Sequence, residues 1–181
     1  MSFKVYKNGS SFDKDEYCDC IFENFNLSQV KLAEITFSNC QFIKSNFSNT
    51  KIDKLVFDNV SFMKCKLLGL DFSKIKSFLL DLKFIESKLE LCDFSNLDLK
   101  KSEFIDCLIY ESNFLKTNLK QASFYKSDLR KSRFIGSNLE KADFRKAFNY
   151  YINPMENNIK QAKFSLPDAV NLLAEFEIEI E

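Results

Sequence analysis

No histidine occurs anywhere in the chain. That removes the side chain most used as a general base near neutral pH and the commonest imidazole ligand for zinc. Glycine is almost as scarce. Gly9, Gly69 and Gly136 stand far apart, so no glycine-rich phosphate-binding loop can be built from them. No apolar run approaches the roughly 20 residues that span a bilayer. The opening Met1-Ser2-Phe3-Lys4-Val5-Tyr6 lacks the apolar segment and small-residue cleavage site of a secretory leader. The formal net charge is zero, while 45% hydrophobic and 29% charged residues exclude disorder. These absences predict a soluble cytoplasmic protein that is not an enzyme, binds no cofactor or metal, takes no small-molecule substrate and contacts no membrane.

What the chain has instead is phenylalanine and leucine on a five-residue beat. Phe22, Leu27, Leu32, Phe37, Phe42, Phe47, Ile52, Phe57, Phe62, Leu67 and Phe72 form one series, with Phe12 and Tyr17 ahead of it. A second series runs Leu79, Phe84, Leu89, Phe94, Leu99, Phe104, Ile109, Phe114, Leu119, Phe124, Leu129, Phe134, Leu139, Phe144. This period matches neither the helix nor the strand. It is the mark of a stack of short units, each unable to bury its apolar side alone.

The six cysteines belong to the same pattern. Cys20, Cys40, Cys65, Cys92 and Cys107 each stand two residues before a central apolar residue. Ser45, Thr50, Val60, Ser87, Ser102, Ser112, Thr117, Ala122, Ser127, Ser132, Ser137 and Ala142 hold that place elsewhere. The slot therefore calls for a small buried side chain, which a free thiol fills well. Cys18-Asp19-Cys20 has no second pair and makes a weak metal site. The Asp and Asn residues one before each central position, such as Asp71, Asp93, Asp98, Asp128 and Asp143, recur with the beat. They suit local turn bonding better than paired acid–base catalysis.

Units such as Ser112-Asn113-Phe114-Leu115-Lys116 and Thr117-Asn118-Leu119-Lys120-Gln121 resemble those of the pentapeptide repeat proteins over residues 12–148. The resemblance implies an all-β solenoid: a right-handed quadrilateral parallel β-helix, four pentapeptides to a coil, with the central residue and the one two before it pointing inward. Residues 1–11 are then an N-terminal segment and 149–181 a C-terminal cap and dimerisation segment. The beat slips once, by two residues, near 73–78. A bulge and a tolerated insertion at a corner both account for the slip. Threading the coils through it recovers Phe22, Phe42, Phe62, Phe84, Phe104, Phe124 and Phe144 as one inner column. The residues following them include Ile43, Met63, Ile85, Ile105 and Tyr125, a candidate outer contact stripe. The preference of strand surfaces for branched and aromatic residues gives the same pattern.

After Phe144 the beat decays. Ser165-Leu166-Pro167-Asp168 predicts a helix start with Ser165 as cap and Pro167 in the first turn. Val170, Leu172, Leu173 and Phe176 form an apolar side of that short helix, and Glu177-Ile178-Glu179-Ile180-Glu181 alternates like a strand. A helix so short needs a partner surface, in its own solenoid or in a second chain. The segment from Ile152 to Ile180 is similar to the end of the quinolone-resistance branch of the family, which implies a head-to-head homodimer.

That similarity implies a DNA-mimicking protein that binds a type II topoisomerase, DNA gyrase or topoisomerase IV, and protects it from quinolones. Asp13, Asp53, Asp71, Asp93 and Asp98 are its candidate acidic contacts. Against it, residues 100–146 carry eleven Lys or Arg and six Asp or Glu, a local net of +5. The alternative is a rigid scaffold for another protein partner. Direct nucleic-acid binding is not expected, because basic residues alternate with acids and stacking aromatics are scarce.

Overall fold

The computed structural model describes residues 3–7, 12–76, 80–176 and 178–179. A pentapeptide is long enough for one extended stretch and one corner, and that is what each forms. Strands of two to four residues recur along the chain. Among the described residues they pair only in parallel, with partners one coil away. Phe22 pairs with Phe42 and Phe42 with Phe62, so a coil is 20 residues and has four faces. The first face is a six-stranded sheet of Lys4–Lys7, Cys20–Glu23, Gln41–Ile43, Val60–Met63, Leu82–Ile85 and Glu103–Ile105. The second centres on Leu27, Phe47, Leu67, Leu89, Ile109 and Leu129. The third runs from Leu32 and Ile52 through Phe72, Phe94, Phe114 and Phe134 to Ile152, and the fourth carries Tyr17, Phe37, Phe57, Leu99, Leu119, Leu139 and Ile159.

Corners are made by an ordinary residue in an unusual conformation. Two positions after most central residues the backbone turns left-handed, with φ between 48° and 66° at non-glycine residues such as Glu86 and Lys101. Such a turn costs an L-residue about 1–2 kcal/mol. The corner N–H offsets it by bonding to the next coil, as from Asn24 to the Ile43 carbonyl and from Lys44 to that of Met63, both 2.9 Å. Glycine leaves room for a neighbour at one corner: a Cβ on Gly69 would stand 2.7 Å from Asn49 Oδ1, and the Asn49 side chain would have to shift.

The core is a column of rings. Tyr6, Phe22, Phe42, Phe62, Phe84, Phe104, Phe124, Phe144 and Phe164 stack face to face at 4.8–5.3 Å. Rings of the opposite, third face meet them edge-on, as Phe94 meets Phe104 at 88°. Offset and edge-to-face contacts add to the burial of each ring.

The slot two before a centre is inner and buried along most of the rod, Val30 being exposed, but it is not always small. Phe25, Ile35, Leu55, Leu70, Leu82 and Leu97 fill it too. Where it holds a hydroxyl, that group does more than save space. Ser127 Oγ donates to the Phe104 carbonyl at 2.9 Å and accepts from the Cys107 N–H at 2.9 Å. Thr117 and Ser132 donate likewise to Phe94 and Ile109. The cysteines imitate this bond weakly, Cys65 Sγ lying 3.3 Å from the Phe42 carbonyl. Burial pushes the thiols of Cys40, Cys92 and Cys107 up to about 12 and that of Cys65 up to about 11, so they remain protonated and inert.

The slip in the beat falls between the fourth face and the first. Val56 pairs with Lys76 at the regular spacing of 20, whereas Val60 pairs with Leu82 at 22. The two extra residues therefore enter between Lys76 and Leu82, after the 3₁₀ turn Phe72–Lys74. Leu79 lies outside the described residues. Beyond the insertion the column closes again, with Phe62 and Phe84 5.2 Å apart.

Coil pairing extends past the span read from the beat at both ends. Lys4–Lys7 is the first strand of the large sheet. At the other end Asn138 pairs with Asn158 and Asp143 with Lys163. The C-terminal segment departs from expectation in three ways. Its helix is a 3₁₀ helix, Asp168–Phe176, and Ser165 does not cap it. Instead Ser165 Oγ accepts from the Lys146 N–H at 2.8 Å and Asp168 Oδ1 from the Asn149 N–H at 3.3 Å. In the coil below, the equivalent N–H groups of Lys126 and Leu129 bond to the backbone carbonyls of Arg145 and Phe148. Two side chains thus replace the carbonyls of a missing coil. Finally, Ile178 and Glu179 are not in a strand, and the rest of the alternating tail, residues 177, 180 and 181, lies outside the described residues.

Candidate interaction surfaces

With the apolar side chains turned inward, function must reside on the outer faces. Ile43, Met63, Ile85, Ile105 and Tyr125 stand one above another beside the ring column, paired in register through the first sheet. All five are half-buried. Tyr125 closes the stripe, with the ammonium groups of Lys126 and Lys146 each 5.7 Å from its ring.

The acidic residues are not gathered. Asp71 and Asp93 neighbour each other on the third face, with Asp53 on the same face one coil below Ser73. Asp98 lies on the fourth face and Asp13 near the first coil. Most of them are engaged locally: Asp71 and Asp93 accept from the backbone N–H and hydroxyl of Ser73 and Ser95, and Asp98 from the Lys100 N–H and the Asn118 amide. Asp13 accepts from the Tyr17 hydroxyl at 3.1 Å.

Charges of opposite sign also alternate up the faces. Lys54 meets Glu34 at 3.0 Å, Lys64 meets Glu86 at 3.2 Å, Lys120 meets Glu140 at 2.7 Å and Lys131 meets Glu111 at 3.2 Å. Glu34 and Glu140 are held below the usual carboxylate range by Lys54 and Lys120, and Glu111 by Tyr110 and Lys131. Asp143 is lowered by its bonds from Arg145. Burial pushes Asp128 up, but the bonds it accepts from Arg130 and Asn149 outweigh this and bring it below its ordinary value. Sequence reading sees acids and bases in equal number; only the coil spacing shows that they neutralise one another.

The third surface is the C-terminal helix. A 3₁₀ helix repeats every three residues, so Val170, Leu173 and Phe176 form one exposed ridge while Leu172 turns the other way and packs against the core. An α-helical reading grouped Leu172 with Leu173; the tighter winding separates them. Leu166 and Met155 extend the exposed apolar area. A hollow of about 570 Å³ lies beneath the helix, lined by Arg130, Lys131, Asn149, Tyr151 and Asn171. Among the described residues no cluster of His, Cys, Asp or Glu could hold a metal ion, and no helix is long and apolar enough to cross a membrane.

A rod of packed parallel coils with its apolar side chains turned inward is a parallel β-solenoid. Two family models match it, one described as pentapeptide repeats in eight copies over residues 20–54 and one as a pentapeptide repeat region over residues 56–134. The chain belongs to the pentapeptide repeat proteins. Among solved structures it is similar to a trypsin-treated variant of QnrB1, a plasmid-mediated fluoroquinolone resistance protein, at 15% identity and a TM-score of 0.51, covering 99% of this chain and 98% of that one. Full-length QnrB1 gives 15% identity and 0.43 over 97% and 99%. HetL of the cyanobacterium Nostoc, involved in heterocyst differentiation regulation, gives 14% and 0.27 over 84% and 86%. No curated protein sequence matches the chain.

Proposed function

We propose that this chain is a protein-binding rod whose partner is a type II topoisomerase, DNA gyrase or topoisomerase IV, engaged by two copies joined at their C-terminal ends. The observation that carries the binding role is the stripe from Ile43 to Tyr125. It is a contiguous apolar strip on an otherwise charged and polar surface, and such strips serve association. The choice of partner draws support from likeness along the whole chain to a protein described as conferring plasmid-mediated fluoroquinolone resistance. The ridge Val170, Leu173 and Phe176 supplies an apolar joint for a twofold dimer. Imitation of a DNA backbone would need a continuous acidic surface, and the coil-to-coil ion pairs oppose one. In this reading shape and the apolar stripe carry most of the contact. The same ion pairs favour a second reading, a scaffold for a different protein.

A gyrase supercoiling assay with ciprofloxacin separates the two. Under the first reading the wild-type protein restores supercoiling, while Ile105→Glu, on the stripe, and Leu173→Glu, at the joint, do not, although both remain folded. No rescue, no inhibition and no retention of either topoisomerase on the immobilised protein would leave the scaffold reading in its place.

A further inference from the structure

The fourth face carries unpaired acids in its lower coils and a surplus of lysines in its upper coils, where Lys120 and Lys141 pair with Glu140. Its outward residues stack in known register: Glu16, Thr36, Val56 and Lys76 in the lower coils, Asp98, Asn118, Asn138 and Asn158 in the upper. The positions that follow them on the same face and its corner are Cys18 and Asp19, Ser38 and Asn39, Asp58 and Asn59, then Lys100 and Lys101, Lys120 and Gln121, Glu140 and Lys141, Lys160 and Gln161. Over the first three coils the face carries Glu16, Asp19 and Asp58 with no base, a net of −3. Over the last four it carries Lys100, Lys101, Lys120, Lys141 and Lys160 against Asp98 and Glu140, a net of +3. Among the described residues, none of Glu16, Asp19, Asp58, Lys100, Lys101 and Lys160 takes part in an ion pair within 4.0 Å. The column of asparagines between the lysines is rigid: Asn118 donates to Asp98, Asn138 to Asn118 and Asn158 to Asn138 at 2.9–3.1 Å.

We infer that the fourth face is a lateral self-association surface, on which a second copy of this chain packs side by side and antiparallel. The argument is complementarity under a twofold axis. Reversing one rod against another brings the coil of Glu16 and Asp19 opposite that of Lys160. It brings the neutral coil of Ser38 opposite the self-paired Glu140 and Lys141, and Asp58 opposite Lys120. The Lys76 coil, whose corner residue is Asp81, meets that of Asp98, Lys100 and Lys101. This central contact sets one acid and one base against one acid and two bases, so the attraction comes from the outer coils. Each contact occurs twice. A parallel arrangement would instead set acid on acid and lysine on lysine, which is repulsive. The face offers little apolar area beyond Val56, so the association rests on exposed charge and must weaken steeply with salt. This inference does not rely on the topoisomerase reading or on the C-terminal joint.

Sedimentation velocity in the Leu173→Glu background, where end-to-end joining does not contribute, tests it. One variant carries Glu16→Lys, Asp19→Lys and Asp58→Lys; the other carries Lys100→Glu, Lys101→Glu and Lys160→Glu. All six positions are on the surface, and circular dichroism with a thermal melt checks that each variant keeps the fold. The expected result is a salt-sensitive dimer for the parent, at least tenfold weaker self-association for each charge-reversed variant alone, and restored dimer when the two are mixed, because the twofold then pairs opposite charges at both ends. A parent that stays monomeric at low salt would overturn the proposal. So would variants that associate as the parent does, or a mixture that fails to recover dimer.

Discussion

The coils below the insertion and the coils above it use one backbone but hold it differently. Below, the inner slot holds Phe25, Ile35, Leu55 and Leu70 among smaller residues, and rings stack at 4.9–5.9 Å with planes tilted by 12–28°. Above, the slot is mostly Ser, Thr, Ala and Cys, and the rings stack at 4.8–5.2 Å within 2–15°. The difference shows what sets coil regularity. The widest separations, 5.7 and 5.9 Å, belong to the Tyr17, Phe37 and Phe57 column, beside which the slot holds Ile35 and Leu55. A hydroxyl draws successive coils together by bonding to two of them. The upper half is thus held by packing and hydrogen bonds jointly, the lower half mainly by apolar fill.

The largest expected effect probes the upper column. Phe104 touches the rings of Phe84, Phe94, Phe114 and Phe124, and rigid coils cannot collapse into the space it would leave. Phe104→Ala should cost about 3–5 kcal/mol in chemical denaturation. Phe57→Ala, in the looser half, should cost less; equal losses would erase the distinction between the halves.

Next come the hydroxyl bridges. Ser127→Ala strips a partner from both the Cys107 N–H and the Phe104 carbonyl and should cost about 1–3 kcal/mol. Ser102 Oγ is buried without a hydrogen-bond partner, so Ser102→Ala should be neutral or slightly stabilising. If both substitutions cost the same, the slot selects for size alone.

Acid should discriminate the halves too. Four of the carboxyls held below their ordinary range, Glu111, Asp128, Glu140 and Asp143, lie in the upper coils, against Glu34 in the lower. A lowered folded-state pKa gives stability that is present above the unfolded value of about 4 and lost as pH falls through the folded one. The thermal midpoint should hold from neutral pH to about 5 and drop below about 4. Amide exchange at low pH should open the upper coils first; earlier opening of the lower coils would contradict this.

The smallest effect concerns a corner. Leu91 is 53% exposed with φ 54°, a conformation that disfavours its branched side chain. Leu91→Asn should raise stability by about 1 kcal/mol or less. A loss would mean that the leucine packs against a neighbour more strongly than the corner is strained.

Much of this architecture is legible in the chain. The central residues announce themselves because burial of one side chain in five leaves a periodic trace, and Phe62 with Phe84 betrays the insertion because an all-phenylalanine column is improbable by accident. The left-handed corners are not legible: Lys44, Glu86 and Lys101 look like ordinary solvated residues, since the hydrogen bond that supports them comes from backbone. The winding of the last helix was equally hidden. Val170, Leu172, Leu173 and Phe176 fit an α-helical side, and only the bonds of Ser165 and Asp168 to the coil beneath show that the segment is pinned in a tighter turn. Surface charge is read correctly in total and wrongly in arrangement, because neutralisation of Glu140 by Lys120 depends on the twenty-residue spacing and not on proximity in the chain.

Those two side-chain bonds have a further consequence. A stack of parallel coils is a polymer with a reactive end: its topmost N–H groups accept any chain that arrives with carbonyls at the right spacing, and nothing in the repeat itself says when to stop. Ser165 and Asp168 are terminating groups in the chemist's sense. They consume the donors of Lys146 and Asn149 with oxygens carried on side chains, whose own backbones turn away into the helix and present no new template. Extension of the rod at this end is therefore blocked, at these two positions, by residues that lie outside the repeat.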